Sequence, residues 1–207
     1  MSAAGRARPP QLRRAFYARP SVEVAPELLN KVLVLGACRG RIVEVEAYLG
    51  PDDPASHAHR GPTRRNATMF GPAGHLYVYF TYGMHWCANV VCGRPGEGTA
   101  VLLRALAPLE GLDAMRARRP AARRDRDLCN GPAKLAQALG IDGRLDGADL
   151  TARPGSGEVA AGPVVTIVDG GTPPPDDPVV TTRIGISRAI ELPLRWYVRG
   201  EPHVSRR

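Results

Sequence analysis

The sequence has 207 residues, of which 43% are apolar, and this length suits one sizeable hydrophobic core. It carries 28 Lys and Arg residues against 20 Asp and Glu residues, so its net charge of +8 favours a polyanionic partner, nucleic acid first and an anionic membrane surface second. The cysteines lack zinc-ligand spacing, no apolar run reaches membrane-spanning length and the N-terminus lacks a signal-peptide core, so we expect a reduced, cytoplasmic protein without membrane attachment.

The chain begins with an arginine-rich segment that contains no acidic residue. This composition predicts a flexible basic arm over residues 1–14, which either adds non-specific affinity for DNA or is only a solvated tail. Residues 15–207 are predicted to form a single domain. It starts with a short helix near residues 25–30, with Pro26 in the first turn, and a strand over residues 31–37.

A second strand is predicted over residues 41–48, "RIVEVEAY", joined to the first through "CRGR". Alternate side chains of a strand point to opposite faces of the sheet. One face is apolar and belongs against a core, whereas the other places two carboxylates beside a phenol in a basic protein. The apolar side chains are Val43, Val45 and Ala47, and the polar ones are Glu44, Glu46 and Tyr48.

The two carboxylates of this strand resist joint ionisation unless a cation or hydrogen-bond donors lie between them. If Glu46 faces a pocket, it can deprotonate a water molecule held near an electrophilic carbon. Glu44 then binds Arg41 or Arg104 and serves the structure. Two solvent-facing glutamates would explain the same pattern without chemistry.

Residues 51–74 form a long polar loop, and a loop of this length in a compact domain is usually functional. His57 and His59 would lie on the same side of an extended segment, as metal ligands can. No third ligand occurs at a familiar spacing, so hydrogen-bonding histidines are the favoured interpretation.

Residues 75–91 predict two strands around a turn at Tyr82-Gly83. Tyr77 and Tyr79 share one face of the first strand and offer flat surfaces on which bases can stack, although an ordinary strand with high β-propensity explains them as well. Tyr82 would project from the turn and fill a gap in a base stack, or else pack back on its own hairpin.

The C-terminal half predicts further strands and two helices. A short buried strand containing Arg104 comes first, followed by a helix over residues 108–119 with Leu109, Leu112 and Met115 facing the core. The later elements are a helix "GPAKLAQALGI" with Pro132 in its first turn and Gly140 as its stop signal, loops and strand fragments over residues 143–163, and the strands "PVVTIVDGG", "TTRIGIS" and "RWYVRG".

Several long blocks, in order, make the sequence resemble the alkyladenine (3-methyladenine) DNA glycosylase family. They are "RIVEVEAYLGPDDPASHA", "MFGPAGHLYVYFTYGMHWCANVV", "AVLLRALAPLEGL", "LCNGPAKLAQALGI" and "LRWYVRGEPHVS". The resemblance runs from about residue 15 to the C-terminus. It implies a mixed α+β fold, a single domain with a curved antiparallel β-sheet and peripheral helices.

The resemblance also implies an enzyme that flips alkylated or deaminated purines out of damaged double-stranded DNA and hydrolyses their N-glycosidic bonds. Such an enzyme is a monofunctional base-excision-repair glycosylase, expected to be a monomer that needs no metal and no organic cofactor. The resemblance assigns the general base to Glu46 and the placement of the attacking water to Arg104. It places Tyr48, His57 and Tyr79 around the extruded base and implies that Asn89 excludes guanine. Tyr82 would enter the minor groove.

Two other functions stay open at this stage. A nucleic-acid-binding protein could have the cleft without catalysis, although the intact Glu46 argues against it. A nucleoside hydrolase would act on small molecules, although the basic charge and Tyr82 argue against that activity. The dipeptide His85-Trp86 departs from the family pattern, so the shape of the wedge is an open point.

Overall fold

A curled antiparallel sheet with helices at its periphery forms the fold of the computed structural model, which describes residues 9–152 and 164–205. The mixed α+β prediction is therefore confirmed. In the described ranges the strands are β1 (Val32–Leu35), β2 (Cys38–Tyr48), β3 (Leu76–Thr81), β4 (His85–Cys92), β5 (Thr99–Glu110), β6 (Val165–Val168), β7 (Val179–Thr181) and β8 (Arg195–Tyr197).

The strand order places the longest strands at the centre. It runs β3-β4-β5-β2-β1-β6, while β8 pairs with β2 and β7 pairs with β8. Every pairing is antiparallel. The α-helices of the described residues are α1 (Arg14–Tyr17), α2 (Ser21–Leu28), α3 (Leu112–Arg118) and α4 (Pro132–Leu139).

The main hydrophobic core lies between one face of the sheet and helices α2 and α4. Val45 and Leu103 from the sheet meet Leu28 and Leu135 from the helices in this core, and all four side chains are fully buried. Burying an aliphatic side chain of this size contributes about 1.5–3 kcal/mol each. The opposite face of the sheet carries polar and aromatic side chains together with two small apolar clusters.

Several predicted boundaries near the N-terminus were wrong. Helix α2 runs over Ser21–Leu28, so Pro26 lies in its last turn rather than its first. The turn between β1 and β2 is made by Gly36 and Ala37, because Leu35 pairs directly with Cys38, and "CRGR" belongs to the strand.

The predicted arm lies partly outside the described residues. Where it is described, it contacts the folded domain: Gln11 forms a β-bridge with Val168, and the Arg14 guanidinium donates to the Asp149 carboxylate over 2.6 Å. These contacts tie residues 11–14 to the sheet.

The C-terminal half shows a mixed outcome. Strand β5 continues to Glu110, so helix α3 begins only at Leu112, and Leu109 is 47% exposed instead of buried; Met115 is buried as predicted. Helix α4 begins at Pro132 as predicted and ends at Leu139, followed by the predicted stop residue Gly140, whose φ of 77° is the left-handed conformation typical of such stops.

Two of the three last predicted strands are confirmed, as β6 and β8. The third is wrong, since β7 ends at Thr181 and most of "TTRIGIS" is an irregular segment. Residues 153–163 of the predicted loop region lie outside the described residues.

Candidate active site

One row of side chains crosses five strands on the face opposite the main core. Tyr77 on β3 is directly opposite Asn89 on β4, and Asn89 is opposite Leu102 on β5. Leu102 is in turn opposite Glu46 on β2, and Glu46 is opposite Arg195 on β8. Directly paired residues point to the same face of a sheet. The strand register therefore brings these side chains to one surface, although they are far apart in sequence.

An irregularity in the β2–β5 pairing adds Arg104 to this surface. Ile42 pairs with Leu106 and Glu44 pairs with Ala105, which leaves Val43 without an opposite residue. The next pairing skips Arg104 in the same way. A bulge of this kind redirects side chains, so Val43 packs against Ala105 on the polar face, and its predicted place beside Val45 and Ala47 was wrong.

A cavity of about 690 Å³ opens on this face. It is large enough for a purine, since ligand pockets commonly have volumes of about 300–1,000 Å³. Six of the seven residues singled out from the sequence line it, namely Tyr48, His57, Tyr79, Tyr82, Asn89 and Arg104. The seventh, Glu46, is fully buried and hydrogen-bonded to the lining residue Tyr48.

The carboxylate of Glu46 is held by three donors. The Tyr48 hydroxyl donates to Oε2 over 3.0 Å, the Ile184 backbone N–H donates to Oε1 over 2.8 Å, and an Arg104 nitrogen lies 3.1 Å from Oε1. Burial raises the pKa of Glu46, and the Arg104 guanidinium opposes that rise. The donors stabilise the ionised form, which a general base requires.

The second acid, Glu44, fixes Arg104 from its other edge. Its carboxylate accepts from Arg104 Nε over 3.3 Å, from Arg195 over 2.7 Å and from the Ser205 backbone N–H over 2.7 Å. Of the two predicted partners, Arg104 is therefore right and Arg41 is wrong, since Arg41 bonds to Glu201. The guanidinium of Arg104 thus lies between two buried carboxylates.

A second buried ion pair supports the Tyr48 ring. Arg183 and Asp53 are joined by two hydrogen bonds, one of them 2.9 Å long, and both side chains are fully buried. The Arg183 guanidinium carbon lies over the Tyr48 ring, 4.7 Å from its centroid. Sequence reasoning missed this pair because no local pattern connects positions 53 and 183.

The long loop brings His57 against two tyrosines of β3. Its Nδ1 is hydrogen-bonded to the Tyr77 hydroxyl over 3.1 Å, and its ring centroid lies 4.5 Å from that of Tyr79 at a steep angle. Burial, followed by the nearby Arg65 charge, lowers the pKa of His57. The lowered pKa favours the uncharged imidazole, which packs against the tyrosine rings.

The loop histidines His57 and His59 have no further metal-ligating side chains around them in the described part of the chain. The described part of the chain contains no group of three or more His, Cys, Asp or Glu side chains that could hold a metal ion. His59 is hydrogen-bonded to the Pro51 carbonyl over 2.7 Å.

The β3–β4 turn presents Tyr82 to solvent. Tyr82 and Gly83 have φ values of 51° and 67°, so both lie in the left-handed region, within a three-residue turn closed by the pairing of Thr81 with His85. The Tyr82 side chain is 80% exposed, so it projects and does not pack back on its hairpin. A non-glycine residue in this left-handed region costs about 1–2 kcal/mol, and such strain is concentrated at functional positions.

The dipeptide His85-Trp86 lies at the start of β4, on the side of the hairpin and beyond its tip. The Trp86 ring lies 4.8 Å from the Phe80 ring and packs closely over Gly143. Trp86 is thus half-buried against the domain, whereas Tyr82 and Met84 form the exposed tip. Asn89 is buried, and its amide donates to the Tyr77 carbonyl over 3.3 Å.

Comparison with known proteins identifies the family. The model of the family described as methylpurine-DNA glycosylase (MPG) matches residues 15–202 of the chain. The chain belongs to the methylpurine-DNA glycosylase family. The resemblance given above is thereby confirmed.

Relatives of this methylpurine-DNA glycosylase family member cover nearly the whole chain. A Burkholderia lata protein is 58% identical over 94% of this chain and 90% of its own length. Proteins from Streptomyces avermitilis (49% identical over 94% and 90%) and Carboxydothermus hydrogenoformans (48% over 95% and 99%) are similar too. All three are named "Putative 3-methyladenine DNA glycosylase". Family and names support a DNA glycosylase that acts on alkylation damage.

The lengths of the helices can be compared with the expectation that no segment spans a membrane. None of the described helices is long and apolar enough to cross a membrane.

Proposed function

We propose that this protein is a monofunctional DNA glycosylase that extrudes an alkylated or deaminated purine from duplex DNA and hydrolyses its N-glycosidic bond with a water molecule activated by Glu46. The product would be an abasic site in an uncut strand. The observation that carries the proposal is the buried Glu46 carboxylate, bonded to Arg104 and to Tyr48 at the wall of an aromatic cavity.

The chemistry of glycosidic hydrolysis suits this arrangement. As the bond to the base breaks, the anomeric carbon becomes positive, and a nearby carboxylate stabilises that charge. Glu46 also accepts a proton from the attacking water, which then bonds to the sugar as the purine leaves. Arg104 holds the carboxylate on one side and lines the cavity on the other, so it can orient that water.

The base pocket provides aromatic surfaces on more than one side. Tyr48 lies at the end of β2, and Tyr79 and His57 come from β3 and the loop before it. N3- and N7-alkylated purines are cationic, and cations are attracted to the faces of tyrosine rings. The Asn89 side chain reaches the same cavity, where it would crowd the amino group of guanine.

The surface around the cavity suits duplex DNA. Extruding a base costs a few kcal/mol, and an inserted side chain recovers part of that cost. Tyr82 is the exposed aromatic ring at the cavity mouth, and Arg60, Arg65 and Arg188 lie on the same rim. These arginines would contact phosphates on either side of the lesion.

Among the residues that the structure describes, no lysine lies at this site to serve a lyase mechanism. The sequence contains two lysines, Lys31 and Lys134. The first is paired with Asp169 and the second bonds to Asn130, and neither lines the cavity. A Schiff base to the sugar requires an amine, so we expect hydrolysis without strand cleavage.

The test is an assay of base release from alkylated duplex DNA and from free alkylated nucleosides. We expect purine release from the duplex alone, without added metal, and strand breaks only after alkali treatment. We also propose that the enzyme is a monomer and acts on DNA inside the cell. Binding without release would favour a lesion-binding protein, and release from free nucleosides would favour a nucleoside hydrolase.

A further inference from the structure

We infer that the buried Arg183–Asp53 ion pair behind Tyr48 sets the preference of the pocket between cationic and neutral purine lesions. The inference rests on the proposed function, because it concerns the base that the pocket accepts. Its basis is the position of a full positive charge on one face of a ring that the cavity uses.

The geometry leaves only one face of Tyr48 for a ligand. The Arg183 guanidinium carbon lies over the ring, 4.7 Å from the centroid, and the Arg183 side chain is fully buried. Arg183 therefore closes the face that it covers. Tyr48 also lines the cavity, so a base that stacks on this ring has to use the face that Arg183 leaves open.

The arginine is held so firmly that its charge has a fixed place. It donates twice to Asp53 and once to the Ala47 carbonyl over 3.1 Å. Asp53 is fixed in turn, since it accepts from the backbone N–H groups of Leu49 and Ala55 over 3.2 and 3.0 Å. These hydrogen bonds hold the guanidinium in one position over the ring.

A cation stacked on one face of an aromatic ring competes with a cation on the other face for the same π electrons. A cationic lesion such as 3-methyladenine therefore binds the free face of Tyr48 less well than it would without Arg183. A neutral lesion such as hypoxanthine is affected much less. Asp53 partly cancels the arginine charge, so it tempers this discrimination.

This balance makes the two side chains act in opposite directions. Removing the charge of Asp53 alone leaves Arg183 uncompensated and should disfavour cationic lesions further. Removing both charges should favour them. A pair that serves only as a structural clamp would instead slow the excision of both lesions in parallel.

The experiment compares single-turnover excision from two duplexes that differ only in the lesion, 3-methyladenine or hypoxanthine. For the double variant Arg183→Met with Asp53→Asn, we expect the ratio of the second-order single-turnover rate constant for the cationic lesion to that for the neutral lesion to rise about three- to tenfold. For Asp53→Asn alone the ratio should fall. Arg183→Lys keeps the charge and should keep the ratio near that of the wild type.

The controls separate the possible failures. Asp169→Asn removes a carboxylate whose partner is Lys31, away from the cavity, and should leave the ratio unchanged. Equal ratios in all variants would overturn the inference, whereas a wild-type protein that releases neither base would overturn the proposed function instead. If the double variant does not fold, the two single variants test the inference. A ratio that falls in Asp53→Asn and stays near the wild-type value in Arg183→Lys supports it, and equal ratios in both variants overturn it.

Discussion

Replacing Glu44 with Gln should move the acid limb of the excision rate to lower pH. Glu46 must be ionised to act as a base, and burial raises the pKa of Glu46, with the charge of Glu44 adding to that rise. Because activity is lost as pH falls through this raised pKa, any change that lowers the pKa of Glu46 extends activity to more acidic conditions.

The size of the shift follows from the spacing of the two acids. Alternate residues of a strand are roughly 7 Å apart, and two unit charges at this distance interact by about 2 kcal/mol at an effective dielectric constant near 20. This energy is an upper limit, because the Arg104 guanidinium lies between the two carboxylates and compensates both, so we expect the acid limb of Glu44→Gln to move to lower pH by less than this energy alone would give.

The variant should also be less stable. Glu44 compensates Arg104 and Arg195 in a buried site, and breaking a buried ion pair costs about 3–5 kcal/mol, of which the retained Gln oxygen recovers a part. The assay is single-turnover base release as a function of pH, together with urea unfolding. An acid limb that does not move, in a variant that is folded, would refute the coupling between the two carboxylates.

A matched control is Glu201→Gln. Glu201 is also a buried glutamate paired with an arginine, Arg41, but it is not bonded to Arg104 or Glu46. It should lose stability without any movement of the acid limb.

Three further outcomes are expected. Tyr82→Asn should raise the free energy of unfolding by up to about 1 kcal/mol, because Asn tolerates the left-handed turn, and should reduce the preference for lesion-containing over undamaged duplex in a binding assay. Gly143→Ala should lower stability by about 1–3 kcal/mol in thermal melting without changing that preference, since a Cβ there would lie 2.9 Å from the Trp86 ring. DNA affinity should fall linearly with salt concentration on a logarithmic plot, and a flat response would contradict phosphate binding by the arginines.

Local sequence patterns predicted the elements whose signals are contained within them. The hairpin at Tyr82-Gly83 and helix α4 between Pro132 and Gly140 were found because turn and helix-stop residues act on their immediate neighbours. The end of β5 and the start of α3 were misplaced, since "PLEGL" fits either element and pairing of Glu110 with Arg39 decides the outcome.

The site shows the same division. Strand alternation placed Glu44, Glu46 and Tyr48 on one face, and the family resemblance supplied their proposed roles. Alternation could not predict the bulge that turns Val43 and Arg104 to that face, because a bulge arises from the pairing of two strands. Contacts from the irregular C-terminal segments were also invisible, such as the Ile184 N–H on Glu46 and the Ser205 N–H on Glu44.

The most direct test of the account is Glu46→Gln, assayed for both binding and single-turnover excision on a duplex with one alkylated purine. The variant keeps the size of the side chain and removes the charge and the proton acceptor. The account predicts that it binds the lesion about as well as the wild type and releases the base at least about a hundredfold more slowly, in the range typical of a lost general base. Excision at the wild-type rate would show that a different group activates the water.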